Sequence, residues 1–267
     1  MVTAIQGMLD LTKLNTKGPK LPSKMVLHGV EGVGKTSFFG QGSNCAFLMS
    51  RGETGLLTLL DSGQVKPTAY LPEILTWEQL LASLDAFLEQ DHDHKMLVID
   101  TLNGMERLCH EYVCKDRFKS DWGPKGFGNF QQGYDSALSD WRDMLYRLDR
   151  IRDRGIAVGC IAHTVVRNHR NPEGADFDRW VAALHPKTWT LTAGWADMIL
   201  FANYVVHLDE DGPRAKGFGG TDRVLNTQRS ASWDAKNRHG LPEEIDMGDS
   251  ASEAWKNFTK AIKDARK

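Results

Sequence analysis

One short segment, GVEGVGKT at Gly29 to Thr36, restricts the fold of this chain more than any other. It fits the pattern GxxxxGK[ST], in which glycines let the backbone bend around a phosphate group and a helix begins at the lysine. The apolar segment MVLHG precedes the loop, and a helix-like pattern follows it. This order of strand, loop and helix predicts a phosphate-binding loop in an α/β fold, with a chance glycine-rich turn as the alternative.

The residue types in this loop predict its contacts with a nucleotide. Backbone amides of the loop and of the helix N-terminus are suited to surround the phosphates, and the Lys35 ammonium is suited to reach the β- and γ-phosphate oxygens. The Thr36 hydroxyl is suited to bind Mg²⁺. The expected cofactors are therefore ATP and Mg²⁺.

An acidic residue ends a second buried-type strand. The segment KMLVID, residues 95–100, places Asp100 where its side chain leaves the sheet. Many strands end in aspartate, but an acid in this order after a phosphate-binding loop favours a metal ligand. Thr36 and Asp100 are the predicted Mg²⁺ ligands. The predicted cofactor-binding residues are Gly29, Gly32, Gly34, Lys35, Thr36, Ser37 and Asp100.

Two further polar residues follow predicted strands. Glu53 comes after CAFLM (45–49), and His163 ends IAVGCIAH (156–163). Ligands of open α/β sheets bind at the carboxyl ends of the strands, so both side chains are expected near the nucleotide. Glu53 is predicted to position water or act as general base, and His163 to sense the γ-phosphate. A solvated loop glutamate and a hydrogen-bonded strand-end histidine are the alternatives.

The rest of the chain alternates short apolar runs with longer amphipathic ones, which predicts βαβ units on a mainly parallel sheet. A strand meander after residue 196 and a capping box at Ser250 and Glu253 predict how the fold ends. One domain is expected over residues 1–267, with an N-terminal extension at 1–20 and a terminal helix at 250–267. The other predicted helices run from Lys35, from Trp77 to about Gln90, from about Leu102 to Phe118 and from about Asp135 to Arg154.

Composition limits the possible partners and location. The 33 basic and 35 acidic residues leave a net charge of -2, so no global basic field attracts nucleic acid, and any such contact must come from local patches. No run approaches 18 apolar residues, and the N-terminus lacks the pattern of a signal peptide. The sequence therefore predicts a cytoplasmic protein without a membrane partner.

Two segments, 119–134 and 164–189, do not fit the alternating pattern and are predicted to be long loops. Both mix cations with aromatic residues, and loops of this length are usually functional or disordered. Aromatics buried beneath a loop are the alternative to aromatics that stack on bases. The candidate phosphate-contacting cations are Lys119, Lys125, Arg167, Arg170, Arg179 and Lys187, and the candidate stacking residues are Trp122, Phe127, Phe130, Phe177 and Trp180.

Five segments occur in a fixed order between about Leu21 and Met247: GVEGVGKT, RGETG, LVIDTLNG, IAHT and DAKNRHGLP. This set resembles the RecA-like ATPase core, in particular compact phage-encoded ATP-binding proteins that include single-strand annealing recombinases of the Sak type. The resemblance implies a RecA-like P-loop NTPase fold, with a mainly parallel central sheet flanked by helices, a C-terminal strand meander and a terminal helix. It also implies that Glu53 is the catalytic glutamate and that His163 replaces the usual sensor glutamine.

The same resemblance implies how copies of the chain work together. Lys236-Asn237-Arg238 is similar to an element that reaches the γ-phosphate bound by a neighbouring subunit, where a cation stabilises the transition state. Solvated side chains of an exposed strand are the alternative. The expected catalytic residues are Lys35, Glu53, His163, Lys236 and Arg238.

The function implied is that of a DNA-stimulated ATPase that binds single-stranded DNA in phage-type recombination and annealing. It would act in the cytoplasm, which is that of the host cell if the chain is phage-encoded, as a homo-oligomeric ring or filament with ATP between subunits. A single-strand-binding protein is a further candidate partner. The alternatives are a hexameric helicase-type motor, a small-molecule or nucleotide kinase, and a regulatory ATP-dependent binding module. A kinase lid would gather several arginines over one pocket, whereas the cations here are spread over two segments and a distant strand.

Overall fold

The computed structural model describes residues 14, 16, 18–209 and 216–266. Most of the expected N-terminal extension at 1–20 lies outside the described residues, as does residue 267 at the end of the expected terminal helix. The C-terminal helix itself spans Ala251–Ala265, and the Ser250 hydroxyl accepts a hydrogen bond from the Glu253 amide, as the capping box predicts.

The described residues form helices and strands in alternation. The helices are α1 (Lys35–Gly40), α2 (Gly55–Asp61), α3 (Trp77–Glu89), α4 (Leu102–Phe118), α5 (Gln132–Asp153), α6 (Pro186–Trp195) and α7 (Ala251–Ala265). The strands are β1 (Lys24–Gly29), β2 (Cys45–Met49), β3 (Ala69–Tyr70), β4 (Met96–Asp100), β5 (Ala157–His169), β6 (Phe177–Ala182), β7 (Met198–Tyr204), β8 (His207–Asp209), β9 (Lys216–Phe218), β10 (Arg223–Asn226), β11 (Lys236–Asn237) and β12 (Glu244–Asp246).

The central sheet is mainly parallel, as predicted for a RecA-like P-loop NTPase. Its order is β12-β10-β7-β1-β5-β4-β2-β3, with β6 added to β5 and β11 added to β7. The strands from β7 to β3 are parallel, whereas β6, β10, β11 and β12 pair antiparallel with their neighbours. Strand β5 therefore lies between the strand of the phosphate-binding loop and the strand that ends in Asp100.

Both faces of the sheet are covered, which explains why the central strands are rich in apolar residues and buried over most of their length. On one face, helices α3, α4 and α5 pack around Trp77 and Trp141, whose rings stack 6.1 Å apart. On the other face, α1 and α7 pack through Phe38 and Phe258. Among the described residues, no helix is both long and apolar enough to cross a bilayer.

The region 164–189 differs from the predicted loop. Strand β5 continues to His169 and pairs with β6 as an antiparallel hairpin, and α6 begins at Pro186. The alternating pattern of HTVVRNH and FDRWVA, with Asn-Pro-Glu-Gly between them, is typical of a hairpin, but the charged residues obscured it. Helix α5 begins at Gln132, three residues before its predicted start, and α2 was not predicted.

Helix α4 approaches the end of β2 closely at Gly104. A Cβ atom at this position would lie 1.9 Å from the Ser50 hydroxyl oxygen. We therefore expect Gly104→Ala to destabilise the protein by about 1–3 kcal/mol, because the helix must move away from the sheet. The free energy of unfolding in urea measures the effect.

A second helical glycine provides the matched control. Gly194 in α6 has no described atom within 4 Å of a built Cβ. Gly194→Ala should leave stability unchanged or raise it by up to about 1 kcal/mol, because alanine has the higher helix propensity. Equal effects of the two substitutions would contradict close packing at Gly104.

Candidate active site

The phosphate-binding loop is formed by glycines that other residues could not replace. A Cβ at Gly29 would lie 2.3 Å from the Ala202 carbonyl oxygen on the adjacent strand β7. Gly32 and Gly34 have φ angles of 74° and 94°, in the left-handed region that favours glycine. Gly34 directly precedes α1, so the loop ends at a helix N-terminus.

Lys35 is a buried cation whose ammonium group is held by backbone carbonyl oxygens. Its side chain is 9% exposed, and its ammonium donates to the carbonyl oxygens of Gly29 and Val30, each at 2.9 Å. Among the described residues, no carboxylate forms an ion pair with it. Burial lowers the pKa of this amine, although Asp100 and two glutamates oppose the shift. A buried ammonium held only by carbonyl groups is suited to bind an anion.

Thr36 and Asp100 meet in the way expected of two metal ligands. The Thr36 hydroxyl donates to a carboxylate oxygen of Asp100 at 2.9 Å. Asp100 is 3% exposed, and burial raises the pKa of its carboxyl group to about 6. This pair of oxygen ligands is of the type that Mg²⁺ binds in proteins.

Glu53 and His163 line the same cavity as Thr36 and Asp100. The His163 Nε2 atom is 3.3 Å from Glu53 Oε1, and the Thr101 hydroxyl donates to the same oxygen at 3.1 Å. The hydrogen bond with His163 lowers the pKa of the Glu53 carboxyl group, and the bond with Glu53 raises the pKa of the His163 imidazole. The structure thus brings together a carboxylate and a histidine that the sequence placed at the same sheet edge.

A single cavity of about 510 Å³ contains this group. It is lined by most of the predicted nucleotide-site residues: Gly32, Gly34, Lys35, Thr36, Ser37, Glu53, Asp100 and His163. Gly29 is the last residue of β1 and does not itself line the cavity. The cavity also reaches Thr58, Leu59 and Gln64 on and after α2, which the sequence analysis missed. Thr54 before GLLTLLD is an N-cap signal that could have revealed this helix.

Asn103 is another residue that the sequence analysis missed. Its side-chain oxygen accepts from the His163 amide at 2.7 Å, and its side-chain nitrogen donates to the Ala183 carbonyl oxygen at 2.7 Å. It therefore connects the start of α4, the site histidine and the base of the β5–β6 hairpin. Its position in LVIDTLNG, three residues after Asp100, was the available signal.

Lys236 and Arg238 lie away from this cavity. Strand β11 pairs with the first residues of β7, at the amino edge of the sheet, whereas the cavity is at the carboxyl edge. The Lys236 ammonium donates to the Ala193 carbonyl oxygen, and Arg238 donates to Gly194 at 3.3 Å and pairs with Asp197. Both cations therefore stabilise the C-terminal end of α6 within their own subunit.

The six candidate DNA-contacting cations fall into three groups. The side chains of Lys119, Lys125 and Arg170 are exposed and have no hydrogen-bond or ion-pair partner among the described residues. Two others already have partners: Arg167 donates to the Leu184 carbonyl oxygen at 2.7 Å, and Lys187 pairs with Asp135.

The predictions that Arg179 contacts DNA phosphates and that Phe127 stacks on bases are corrected by the burial of both side chains. Arg179 is 5% exposed and pairs with Asp234, so its guanidinium stabilises the fold. Phe127 is 1% exposed and packs against Trp122 and Tyr134. Phe127 fits beneath the loop because Gly133 leaves room for it, since a Cβ at Gly133 would lie 2.3 Å from the Phe127 ring. Neither Arg179 nor Phe127 is available to a ligand on the surface.

The segments 119–134 and 164–189 contact one another. The rings of Tyr134 and His185 stack 4.4 Å apart. Four residues before Tyr134 in the sequence, Phe130 is 92% exposed and has a φ angle of 42°. A left-handed conformation is unfavourable for phenylalanine, and such strain tends to occur at functional sites. An aromatic ring held in solvent by this backbone is a candidate ligand contact.

The chain was compared with solved structures, with curated proteins and with protein-family profiles. The crystal structure of the RadB recombinase is similar, with 12% sequence identity, a TM-score of 0.48 and coverage of 88% of this chain and 91% of that chain. No curated protein matched the sequence. The profile described as "AAA domain" matches residues 21–239, which is most of the chain. The chain therefore belongs to the AAA domain family.

Proposed function

We propose that this protein is a Mg²⁺-dependent ATPase that binds single-stranded DNA in phage-type recombination, promotes annealing and assembles head to tail. The observation that carries the nucleotide part is the buried Lys35 ammonium, which has only carbonyl partners among the described residues. An anion at this place would satisfy the charge that the fold leaves without a carboxylate.

The residues present fit a magnesium nucleotide. The loop glycines leave room for phosphates at the N-terminus of α1, Lys35 supplies a positive charge, and Thr36 and Asp100 supply two oxygen ligands. Bound Mg²⁺ would neutralise phosphate charge. Ligand binding also requires Asp100 to be ionised, which the nearby Lys35 favours.

Glu53 is the residue that we assign to position the attacking water. It faces the cavity, and its carboxylate is oriented by Thr101 and His163. A histidine that contacts both this carboxylate and the cavity is placed to respond to a phosphate. This assignment gives His163 the sensing role that the sequence analysis predicted.

The proposed DNA surface lies on the two contacting segments. The exposed Lys119, Lys125 and Arg170 supply positive charge for phosphates, and Phe130 and the 52% exposed Trp122 supply rings for stacking. Sequence-independent binding of single strands combines these two kinds of contact. The β5–β6 hairpin continues directly from His163, which supports a link between this surface and the nucleotide.

The proposal of head-to-tail assembly rests on the positions of the cavity and of the Lys236 and Arg238 pair at opposite edges of the sheet. The cavity is at the carboxyl edge of the sheet, and Lys236 and Arg238 are at the amino edge. A heterologous contact joins two different surfaces, and its repetition gives a ring or a filament. In such an assembly, Lys236 and Arg238 of one copy would lie close to the γ-phosphate of the nucleotide bound by the next copy.

Lys35→Ala should abolish ATP binding, because it removes the buried ammonium group that donates to the Gly29 and Val30 carbonyl groups and faces the cavity. We expect ATP affinity to fall by at least about 100-fold, together with any nucleotide-dependent assembly. Calorimetry measures the affinity, and sedimentation velocity with and without ATP measures the assembly. Exposed Lys95→Ala is the matched control and should behave as wild type. Unchanged ATP affinity in Lys35→Ala would refute the nucleotide site.

The Glu53–His163 pair predicts a pH-dependent contribution to stability. The Glu53 pKa is lowered from 4.5, so its contribution is present above pH 4.5 and is lost as pH falls through the folded value. The His163 pKa is raised from 6.5, so its contribution is present below pH 6.5 and is lost as pH rises through the folded value. The pair should therefore stabilise most between about pH 4.5 and 6.5.

Melting temperatures of wild type and His163→Gln across pH 4–9 measure this effect. The difference between the two proteins should be largest near pH 5.5 and should shrink above neutrality. The control is His94→Gln, which removes a histidine that lies outside the site and forms an exposed hydrogen bond with Asn44. A difference that does not vary with pH would exclude an ion pair at the site.

Lys125→Ala/Arg170→Ala should weaken single-stranded DNA binding and its salt dependence. The loss of two phosphate contacts should reduce the slope of log K against log salt by about 1.4. Phe130→Ala should lower affinity by about 5- to 160-fold, because a stacked base contributes about 1–3 kcal/mol. Fluorescence anisotropy with labelled oligonucleotides at several salt concentrations measures both effects.

The control for the DNA experiment removes the same charge elsewhere. Lys256 and Lys260 are exposed on α7, which packs against α1 and β12. Lys256→Ala/Lys260→Ala should leave the salt slope unchanged. An equal loss in both double variants would indicate general electrostatic attraction and would argue against the proposed surface.

A further inference from the structure

Two side chains outside the phosphate-binding loop hold its carbonyl groups. The Tyr204 hydroxyl donates to the Gly32 carbonyl oxygen at 3.0 Å, and the Arg223 Nη1 atom donates to the Val33 carbonyl oxygen at 3.3 Å. Neither side chain lines the 510 Å³ cavity. Both therefore contact the loop from its outer side, away from the place where phosphates would bind.

The sheet places these two side chains together. Tyr204 ends β7 and Arg223 begins β10, and they are direct partners in the antiparallel register of these strands. Directly opposite residues project to the same face of a sheet. The Arg223 Nη2 atom also donates to the Gly248 carbonyl oxygen at 2.8 Å, so the guanidinium links the loop to the turn before α7.

The planar peptide bond gives these contacts a consequence for ligand binding. In a trans peptide, the carbonyl of one residue and the N–H of the next point in opposite directions. Donors that fix the Gly32 and Val33 carbonyl groups outward thereby turn the amides of Val33 and Gly34 inward. These amides belong to the loop that precedes the N-terminus of α1, where an anion is expected.

We propose that Tyr204 and Arg223 are positioning residues that pre-organise the Val33 and Gly34 amides for a phosphate group. This inference rests on the proposed nucleotide site and adds two residues that the family motif does not contain. A guanidinium suits this role because its fork reaches two carbonyl groups at once, which one ammonium group does less well. Pre-organisation lowers the entropy lost when the ligand binds, so the effect belongs to affinity.

The test uses Tyr204→Phe and Arg223→Lys, each of which keeps most of the packing. Tyr146→Phe and Arg142→Lys, at exposed positions of α5, are the matched controls. The first readout is the NMR order parameter of the Val33 and Gly34 amides in protein without nucleotide, which should fall in the two test variants. The second is ATP hydrolysis, in which KM should rise about five- to tenfold while kcat stays within about twofold.

The outcomes separate this inference from the proposed function. Lower order parameters and a higher KM with unchanged melting temperature would support the positioning role. Wild-type order parameters and KM in Tyr204→Phe would overturn it, and so would a lower melting temperature with unchanged KM, which indicates a structural role alone. If wild type binds no ATP, the proposed function fails, and the order parameters still decide whether the two residues hold the amides.

Discussion

The burial of the Lys35 ammonium beneath a loop of left-handed glycines is the constraint on which the rest of the site depends. A cation that is 9% exposed needs compensation, and the described residues offer it only carbonyl oxygens within hydrogen-bond distance. The loop can keep this geometry because Gly32 and Gly34 adopt φ angles that favour glycine. The fold thus keeps a buried positive charge that an anionic ligand would compensate.

The register of the parallel strands determines which side chains lie around the cavity that the Lys35 ammonium faces. Gly29 pairs with His163, and Asp100 pairs with Ile161 on the same strand β5, so three strand ends lie side by side. Glu53 joins them from the turn after β2. Because strand β5 separates β1 from β4, His163 lies between the loop after β1 and Asp100 at the end of β4, where it contacts the Glu53 carboxylate and faces the cavity.

The sequence predicted the parts of the site that follow from local order. A strand, a glycine loop and a helix fix Lys35 and Thr36, and a buried strand that ends in an acid fixes Asp100. The sequence could not predict contacts between residues that are far apart along the chain, such as the hydrogen bond from Tyr204 to Gly32, which are 172 residues apart. It also missed the hairpin of β5 and β6, because charged residues on the exposed face reduced its apolar signal, and for the same reason Arg179 was placed on the surface.

The nucleotide site and the proposed DNA surface are parts of one packed unit. Asn103, at the start of α4, bonds both the His163 amide and the Ala183 carbonyl oxygen, which lie at the two ends of the β5–β6 hairpin base. Packed elements move as units and do not deform continuously. A shift of His163 on phosphate binding would therefore displace the hairpin and the helix together. Because Tyr134 of the first segment stacks on His185, that displacement would extend to Phe130 and its exposed ring.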